Sequence, residues 1–350
     1  MEYEKILAEI QEKAKKINRQ VRFMELCGTH AETIAKHGIK SLMPENIKLI
    51  SGPGCPVCVT GQEDIDIIVG LALAGIPVAC YGDAAGVPGN LGSLEEARQK
   101  GADVRIVYDV SEIAGARLVE PLQEQNKPTI FWGLGFETTT PATAWAVANG
   151  LMVFSSHKLF SPAMEILLKN KNVKIDGFIN PGHVSAIIGT QIYKQFKIPQ
   201  VVAGFEALDV LRAVDMLSDQ IISGKTEVQN EYTRLVKKDG NKKARELIND
   251  TFEIVDSKWR GLGVIEKSGL KLKKKYQTQD AEFVYRDLIA KIKKDIKVKP
   301  SACRCGEVLQ GIFESRECPL FRKVCTPDNP QGACMVSGEG SCNIEYRYEK

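Results

Sequence analysis

The chain is expected to fold as an α/β protein, with two parallel-sheet α/β domains flanking a cleft and a small cysteine-rich C-terminal domain. Short apolar runs alternate with helix-length segments from Val21 to about residue 225, the rhythm of parallel sheets covered by helices. Each run ends in a glycine-rich or polar turn, and in such sheets ligands bind at the carboxyl ends of the strands. Past residue 300 the long apolar runs stop and cysteines crowd, at Cys303, Cys305, Cys318, Cys325, Cys334 and Cys342.

Residues 1–20 form the first unit. Glu2–Asn18 reads as an amphipathic helix, with Ile6, Ile10, Ala14 and Ile17 near helical spacing. The first α/β domain is placed at 21–115. Its strands are Val21–Leu26, leading into Cys27-Gly28-Thr29-His30, and Ile47–Ile50, leading into Gly52-Pro53-Gly54-Cys55-Pro56-Val57-Cys58. Val78–Tyr81 follows, leading into Gly82-Asp83, and then Val104–Val107. The second domain is placed at 116–225. Thr129–Trp132 leads into Gly133-Leu134-Gly135-Phe136-Glu137-Thr138-Thr139-Thr140, with Pro141 just inside the next helix and Thr140 as its N-cap. Phe178–Ile179 leads into Asn180-Pro181-Gly182-His183-Val184-Ser185, and Val201–Ala203 into Gly204-Phe205-Glu206. Residues 226–350 read as a helical and metal-binding unit. It begins Lys-rich, holds Trp259-Arg260-Gly261-Leu262-Gly263, and ends in a segment with too little core to fold without its metal.

A chain of 350 residues supports several domains, and 43% hydrophobic with 26% charged residues is ordinary for a soluble protein. A net charge of +3 gives no reason to expect nucleic acid or a membrane surface as partner. The basic runs Lys237–Lys243 and Lys271–Lys275 read as solvated faces. No apolar run reaches the roughly 18 residues of a membrane span. Met1–Gln20 is charged throughout and lacks a signal-peptide core. The expected location is the cytoplasm, where ten cysteines read as metal ligands or redox groups rather than disulfide staples.

Cys303, Cys318, Cys325 and Cys342 follow the spacing C-x14-C-x6-C-x16-C, four soft ligands of the kind a zinc ion or an iron–sulfur cluster takes. Cys305 and Cys334 remain as a spare thiol pair in the same cluster, which points to redox chemistry. Cys55 and Cys58 form a C-x-x-C whose second cysteine is placed near a helix start, with Thr60 as a cap. Such a pair forms a reactive dithiol or half of a zinc site. Cys27 with His30 is either a soft and borderline ligand pair for Fe, Zn or Cu, or a buried thiol beside an ordinary histidine. Cys80, inside an apolar strand, reads as core. Glu137 and Asp83 are candidate general acids or bases if desolvated, and His183 is a candidate cleft histidine. Gly133-Leu134-Gly135 begins like a dinucleotide fingerprint but lacks the third glycine.

Together, Cys27-Gly28-Thr29-His30, Gly52-Pro53-Gly54-Cys55-Pro56-Val57-Cys58, Gly135-Phe136-Glu137-Thr138-Thr139, Pro181-Gly182-His183-Val184-Ser185 and the terminal cysteine spacing resemble the HypD family of hydrogenase maturation factors, over about Val21 to Tyr348. The resemblance implies a role in assembling the Fe(CN)2CO unit of [NiFe]-hydrogenases with a small partner, HypC. Cyanide would be donated by HypE as a thiocyanate on its C-terminal cysteine. It implies that Cys27 binds the iron with His30 close by and that Cys55 and Cys58 are a redox-active dithiol. By the same likeness, Cys303, Cys318, Cys325 and Cys342 hold a [4Fe–4S] cluster with Cys305 and Cys334 beside it, as in ferredoxin–thioredoxin reductase. The C-terminal domain would then be an iron–sulfur domain. Two positions depart from the family pattern. Gly86 stands where a basic residue precedes Val87-Pro88-Gly89, which removes an anion-binding role for that loop, and Ala207 follows Gly204-Phe205-Glu206 in place of proline. The competing expectations are a stand-alone iron–sulfur thiol–disulfide oxidoreductase, which would not need Cys27 or His30, and a zinc-stabilised binding protein without redox chemistry.

Overall fold

A computed structural model describes residues 2–113, 127–298 and 300–349. In chain order its strands are β1 (Val21–Glu25), β2 (Ile47–Ser51), β3 (Val78–Tyr81), β4 (Val104–Val107), β5 (Ile130–Gly133) and β6 (Met152–Ser155). β7 (Gly177–Pro181), β8 (Gln200–Ala203), β9 (Val228–Asn230), β10 (Phe252–Trp259) and β11 (Gly263–Leu272) follow. The first sheet has the order β2-β1-β7-β8-β9 and the second β4-β3-β5-β6. All pairs in both are parallel. The expected α/β class with parallel sheets is therefore present, and the cysteine-rich end follows it.

Every strand read from the sequence exists, because fully buried parallel strands appear as short uninterrupted apolar runs. β5, β6 and β8 are buried along their whole length. Three features were not read. β6 is only four residues long, and its edge is covered by a bridge from Val153 to Asp280. β9 is three half-buried residues. The segment after residue 225, expected to be helical, also contains the antiparallel hairpin β10–β11, whose charged side chains face outward and mask the strand pattern. The hairpin is pinned to the second sheet by Leu270 N–H to His157 O at 3.1 Å and Leu159 N–H to Ser268 O at 2.8 Å.

The two sheets are interleaved in sequence. β1 and β2 belong with β7 to β9, while β3 to β6 form the other sheet, so sheet membership does not follow the 21–115 and 116–225 division. The boundary itself, near residue 115, lies outside the described residues. The N-terminal helix Glu2–Lys16 buries Ile6, Ile10 and Ala14 and packs on Ala207–Ser223. Full burial of Ile10 alone contributes roughly 2 kcal/mol. Lys13 anchors the pair from the rim, 2.7 Å from both Asp215 and Asp219.

The carboxyl ends of β1, β2, β7 and β8 carry the loops of Cys27, Cys55, His183 and Phe205, and those of β3 and β5 carry Asp83 and Glu137. The C-terminal segment lies against loops of both sheets: Ser337 Oγ donates to Asp83 Oδ2 and Thr29 Oγ1 to Glu339 Oε1, each at 3.0 Å. No helix among the described residues is long and apolar enough to cross a membrane.

Candidate redox and metal-binding site

Cys27 sits at the N-cap of the helix Gly28–Lys36, half-buried at the end of β1. Its N–H donates to Glu25 Oε2 at 2.8 Å. Burial pushes the Cys27 thiol up to about 12, with Glu339 and Glu25 adding to the rise. Burial also pushes Glu25 up to about 8, so the carboxyl under Cys27 holds its proton at neutral pH. A thiol this reluctant to ionise alone gains most from a cation that replaces its proton.

His30 is wholly buried on the same helix. Its Nε2 faces Gly204 O at 2.8 Å and must donate, which leaves Nδ1 as the lone-pair nitrogen. Nδ1 is buried with no hydrogen-bond partner among the described residues. Burial pulls the ring down to about 4, so the imidazole is neutral. A neutral imidazole with a free buried nitrogen is a ligand in waiting. His30 and the exposed His183 both pack on the Phe205 ring, at 4.8 and 4.0 Å between centroids.

The loop after β2 crosses directly over this point. A Cβ on Gly54 would fall 2.4 Å from Cys27 N, so only glycine permits the approach. Cys55 then caps the single turn Pro56–Val59, its Sγ accepting from Cys58 N–H at 3.1 Å. The helix start lies at Cys55, which leaves the second cysteine in the first turn, and Thr60 is the cap at the end of that turn. Cys55 and Cys58 are joined as a disulfide and are almost wholly buried.

That turn packs against Cys305–Leu309 and against Ala333–Val336, the two short helices that carry the spare thiols. Cys305 Sγ and Cys334 Sγ lie 2.8 Å apart, inside ordinary contact between sulfurs but not bonded. All six terminal cysteines, with Phe321 and Met335, line one small cavity of about 10 Å³. Contacts with Cys303 and Cys334 hold the Cys305 thiol well below its usual range, and the Arg260 charge adds to this. Cys303 and Cys334 are pushed up, chiefly by their contacts with Cys305. Among the described residues no three His, Cys, Asp or Glu groups close on one point as ligands of a single ion do. Six cysteine sulfurs on one small cavity are soft donors of the kind that a zinc ion or an iron–sulfur group takes.

The remaining candidates are placed elsewhere. Glu137 is buried and accepts Phe160 N–H at 3.1 and 3.3 Å, capping the helix Phe160–Lys169. Burial pushes it up to about 7. The threonines of its motif are used internally: Thr140 Oγ1 donates to Phe136 O, and Thr140 and Thr143 flank the buried His157 ring. The helix there is capped by Thr139, one residue before the expected Thr140. Cys80 is core, as expected, and wholly buried. Sequence reasoning assigned no role to His157, Glu339, Tyr193 or Arg260. Tyr193 meets Ser185 at 2.9 Å, and burial pushes its hydroxyl up. Arg260 keeps one guanidinium nitrogen buried without a partner.

A family model described as "HypD: Hydrogenase formation hypA family" matches residues 2–349. A putative hydrogenase expression/formation protein of Methanocaldococcus jannaschii is 43% identical over 357 residues, covering 99% of this chain and 97% of that protein. The hydrogenase maturation factor HypD of Escherichia coli is 43% identical over 345 residues, covering 95% of this chain and 90% of its own length. That of Cupriavidus necator is 39% identical over 354 residues, covering 94% and 90%. With the match running through the Cys27 loop, the Cys55–Cys58 loop and the terminal cysteines alike, the chain belongs to the HypD family of hydrogenase maturation factors.

Proposed function

We propose that this protein is a scaffold and redox factor that assembles the Fe(CN)2CO unit of [NiFe]-hydrogenases, working with HypC and receiving cyanide from HypE. One observation carries the reading: a single short turn, Pro56–Val59, touches both helices of the spare thiols, while the loop leading into it lies on Cys27. Iron is the cargo. Cys27 holds it as a thiolate, with the neutral His30 on the same helix. Cys303, Cys318, Cys325 and Cys342 are the ligands for a resident [4Fe–4S] cluster, which would supply electrons one at a time.

The chain's own thiols convert these into pairs. Cys305, the most acidic of its group, attacks the Cys55–Cys58 disulfide, and Cys334 resolves the mixed disulfide. One S–S bond breaks and one forms, moving two electrons and two protons to Cys55 and Cys58. The regenerated dithiol then cleaves a thiocyanate: one thiocyanate and two thiols give one thiol, one hydrogen cyanide and one disulfide. Cyanide is released beside Cys27, where iron captures it as the proton leaves. Burial of the Cys55–Cys58 pair keeps other oxidants away.

The test is anaerobic purification with iron, sulfide and zinc analysis, then infrared spectroscopy of the complex with HypC. About four iron and four sulfide beyond the cargo iron are expected. Cys27→Ser is expected to keep the cluster and lose the cyanide and CO stretches. One zinc without sulfide would overturn the relay. Cyanide and CO stretches surviving in Cys27→Ser would overturn Cys27 as the iron ligand, and a parent that carries the cluster but never shows these stretches with HypC would favour a stand-alone oxidoreductase.

A further inference from the structure

Two thiol pairs that exchange must hold their sulfurs in line, and very short helices do not fix their own positions. Pro56–Val59 is one turn, and Cys305–Leu309 is little more. Both are gripped by the turn that joins β10 to β11. On one side, Trp259 bridges Thr60, Arg260 N–H donates to Val59 O at 2.8 Å, and Arg260 Nε donates to Thr60 O at 3.2 Å. On the other side, Gly261 lies backbone to backbone on Gly306, the residue after Cys305. A Cβ on Gly261 would fall 2.3 Å from Gly306 Cα, and its φ of +79° independently favours glycine. Gln310 ties this side, its Nε2 donating to Gly261 O at 2.7 Å and to Gly306 O at 3.1 Å. Gln310 Oε1 is held in turn by Asn170 Nδ2 at 2.6 Å. The turn itself is anchored by buried Trp259, whose Nε1 donates to Ser268 Oγ at 2.8 Å.

We propose that the 259–263 turn is a clasp that sets the approach of the Cys305–Cys334 pair to the Cys55–Cys58 disulfide, with Gly261 and Gln310 as its positioning residues. The inference rests on the relay proposed above. The clasp takes no part in the bond changes, in which the Cys55–Cys58 bond breaks, the Cys305–Cys334 bond forms, and two electrons and two protons pass to Cys55 and Cys58. It acts through the backbones of Val59, Thr60 and Gly306.

The test uses the full-length chain with its metal content measured, in the parent, Gly261→Ala and Gln310→Ala. Each is reduced anaerobically with dithionite, quenched with an alkylating agent at successive times, and scored by mass spectrometry for free Cys55 and Cys58. Cys305→Ser gives the background of direct reduction. In Gly261→Ala, disulfide opening is expected to slow by about a hundredfold, since misplacement of reacting groups by about 1 Å costs that much. Gln310→Ala, which introduces no backbone clash, is expected to slow it by a smaller factor. Iron and sulfide content, and opening by added dithiothreitol, should stay at the parent values, which a merely structural defect would not allow. Unchanged dithionite rates in both variants would overturn the clasp while leaving the relay intact, as would equal slowing with dithiothreitol. A parent whose disulfide opens no faster than in Cys305→Ser would overturn the relay and the clasp with it.

Discussion

Glu137 shows how burial converts one carboxyl into a pH-dependent liability. It is 3% exposed, and its backbone donors, its own N–H and Phe160 N–H, do not offset desolvation, so its pKa stands at about 7 against an ordinary 4.5. The folded state therefore prefers the protonated form. Its penalty is absent below about pH 4.5, grows between 4.5 and 7, and is constant above. Two and a half units correspond to about 3 kcal/mol at most. Glu137→Gln keeps an oxygen for Phe160 N–H but carries no charge. The variant is expected to match the parent near pH 4.5 and to exceed it in stability by up to that amount at pH 8. Urea unfolding at the two pH values measures the difference, and a constant gap across the range would refute the assignment. Residues of this kind divide sharply in legibility. Cys27, the C-x-x-C and the terminal cysteines announce themselves because clustered cysteines at such spacings read as metal ligands or redox groups. Glu339 does not, because it acts on Thr29 across 310 residues of chain. The structural use of Glu137 was hidden likewise, since its partner belongs to a helix that starts at Phe160.

Among elements, the short loops do more than the helices. The loop after β2 is legible as a motif, but its crossing over Cys27 is not, since the close approach follows from β1 and β2 being parallel neighbours. Gly54→Ala tests that crossing. The new Cβ would lie 2.4 Å from Cys27 N and 2.5 Å from Cys27 Cα, both backbone atoms, so the loop must lift. An overpacked contact costs about 1–3 kcal/mol, which a chain of this size tolerates. On the proposed function, the expected outcome is a folded protein with the parent's iron and sulfide content but weakened cyanide and CO stretches in the complex with HypC. Thermal denaturation and infrared spectra on one preparation decide it. Parental infrared intensity would show that the loop's position over Cys27 has no functional weight. Strands such as β3 and β5 were legible as apolar runs. β10 and β11 were not, because a hairpin that exposes much of both strands has little apolar periodicity to read.

At the scale of the whole molecule, the C-terminal segment closes the structure. Ser337 holds Asp83 at the end of β3, Glu339 holds Thr29 at the end of β1, and Tyr348 Oη donates to Glu32 Oε1 at 3.0 Å. The helix Ser341–Tyr348 lies on Gly28–Lys36, the helix of Cys27 and His30. The segment thus straps together loops of two sheets that are already interleaved in sequence. Its own apolar core is small, with Phe321, Ala333, Met335 and Ile344 among the few buried residues besides its cysteines. On the proposed cluster assignment, a segment so built depends on the cluster for order, and its binding free energy becomes folding free energy of the strap. Removing the proposed cluster is therefore expected to loosen the Gly28–Lys36 helix, although none of the proposed cluster ligands lies on it. Hydrogen exchange of holo and chelator-treated protein tests this. Amides of Gly28–Lys36 are expected to lose protection together with those of 303–348, while Lys242–Thr251, packed on Thr140–Ala148, keeps its protection. Loss confined to 303–348 would mean that the contacts through Thr29, Glu32 and Asp83 carry no order between the two sites. Cluster state and iron binding would then be independent properties of one chain.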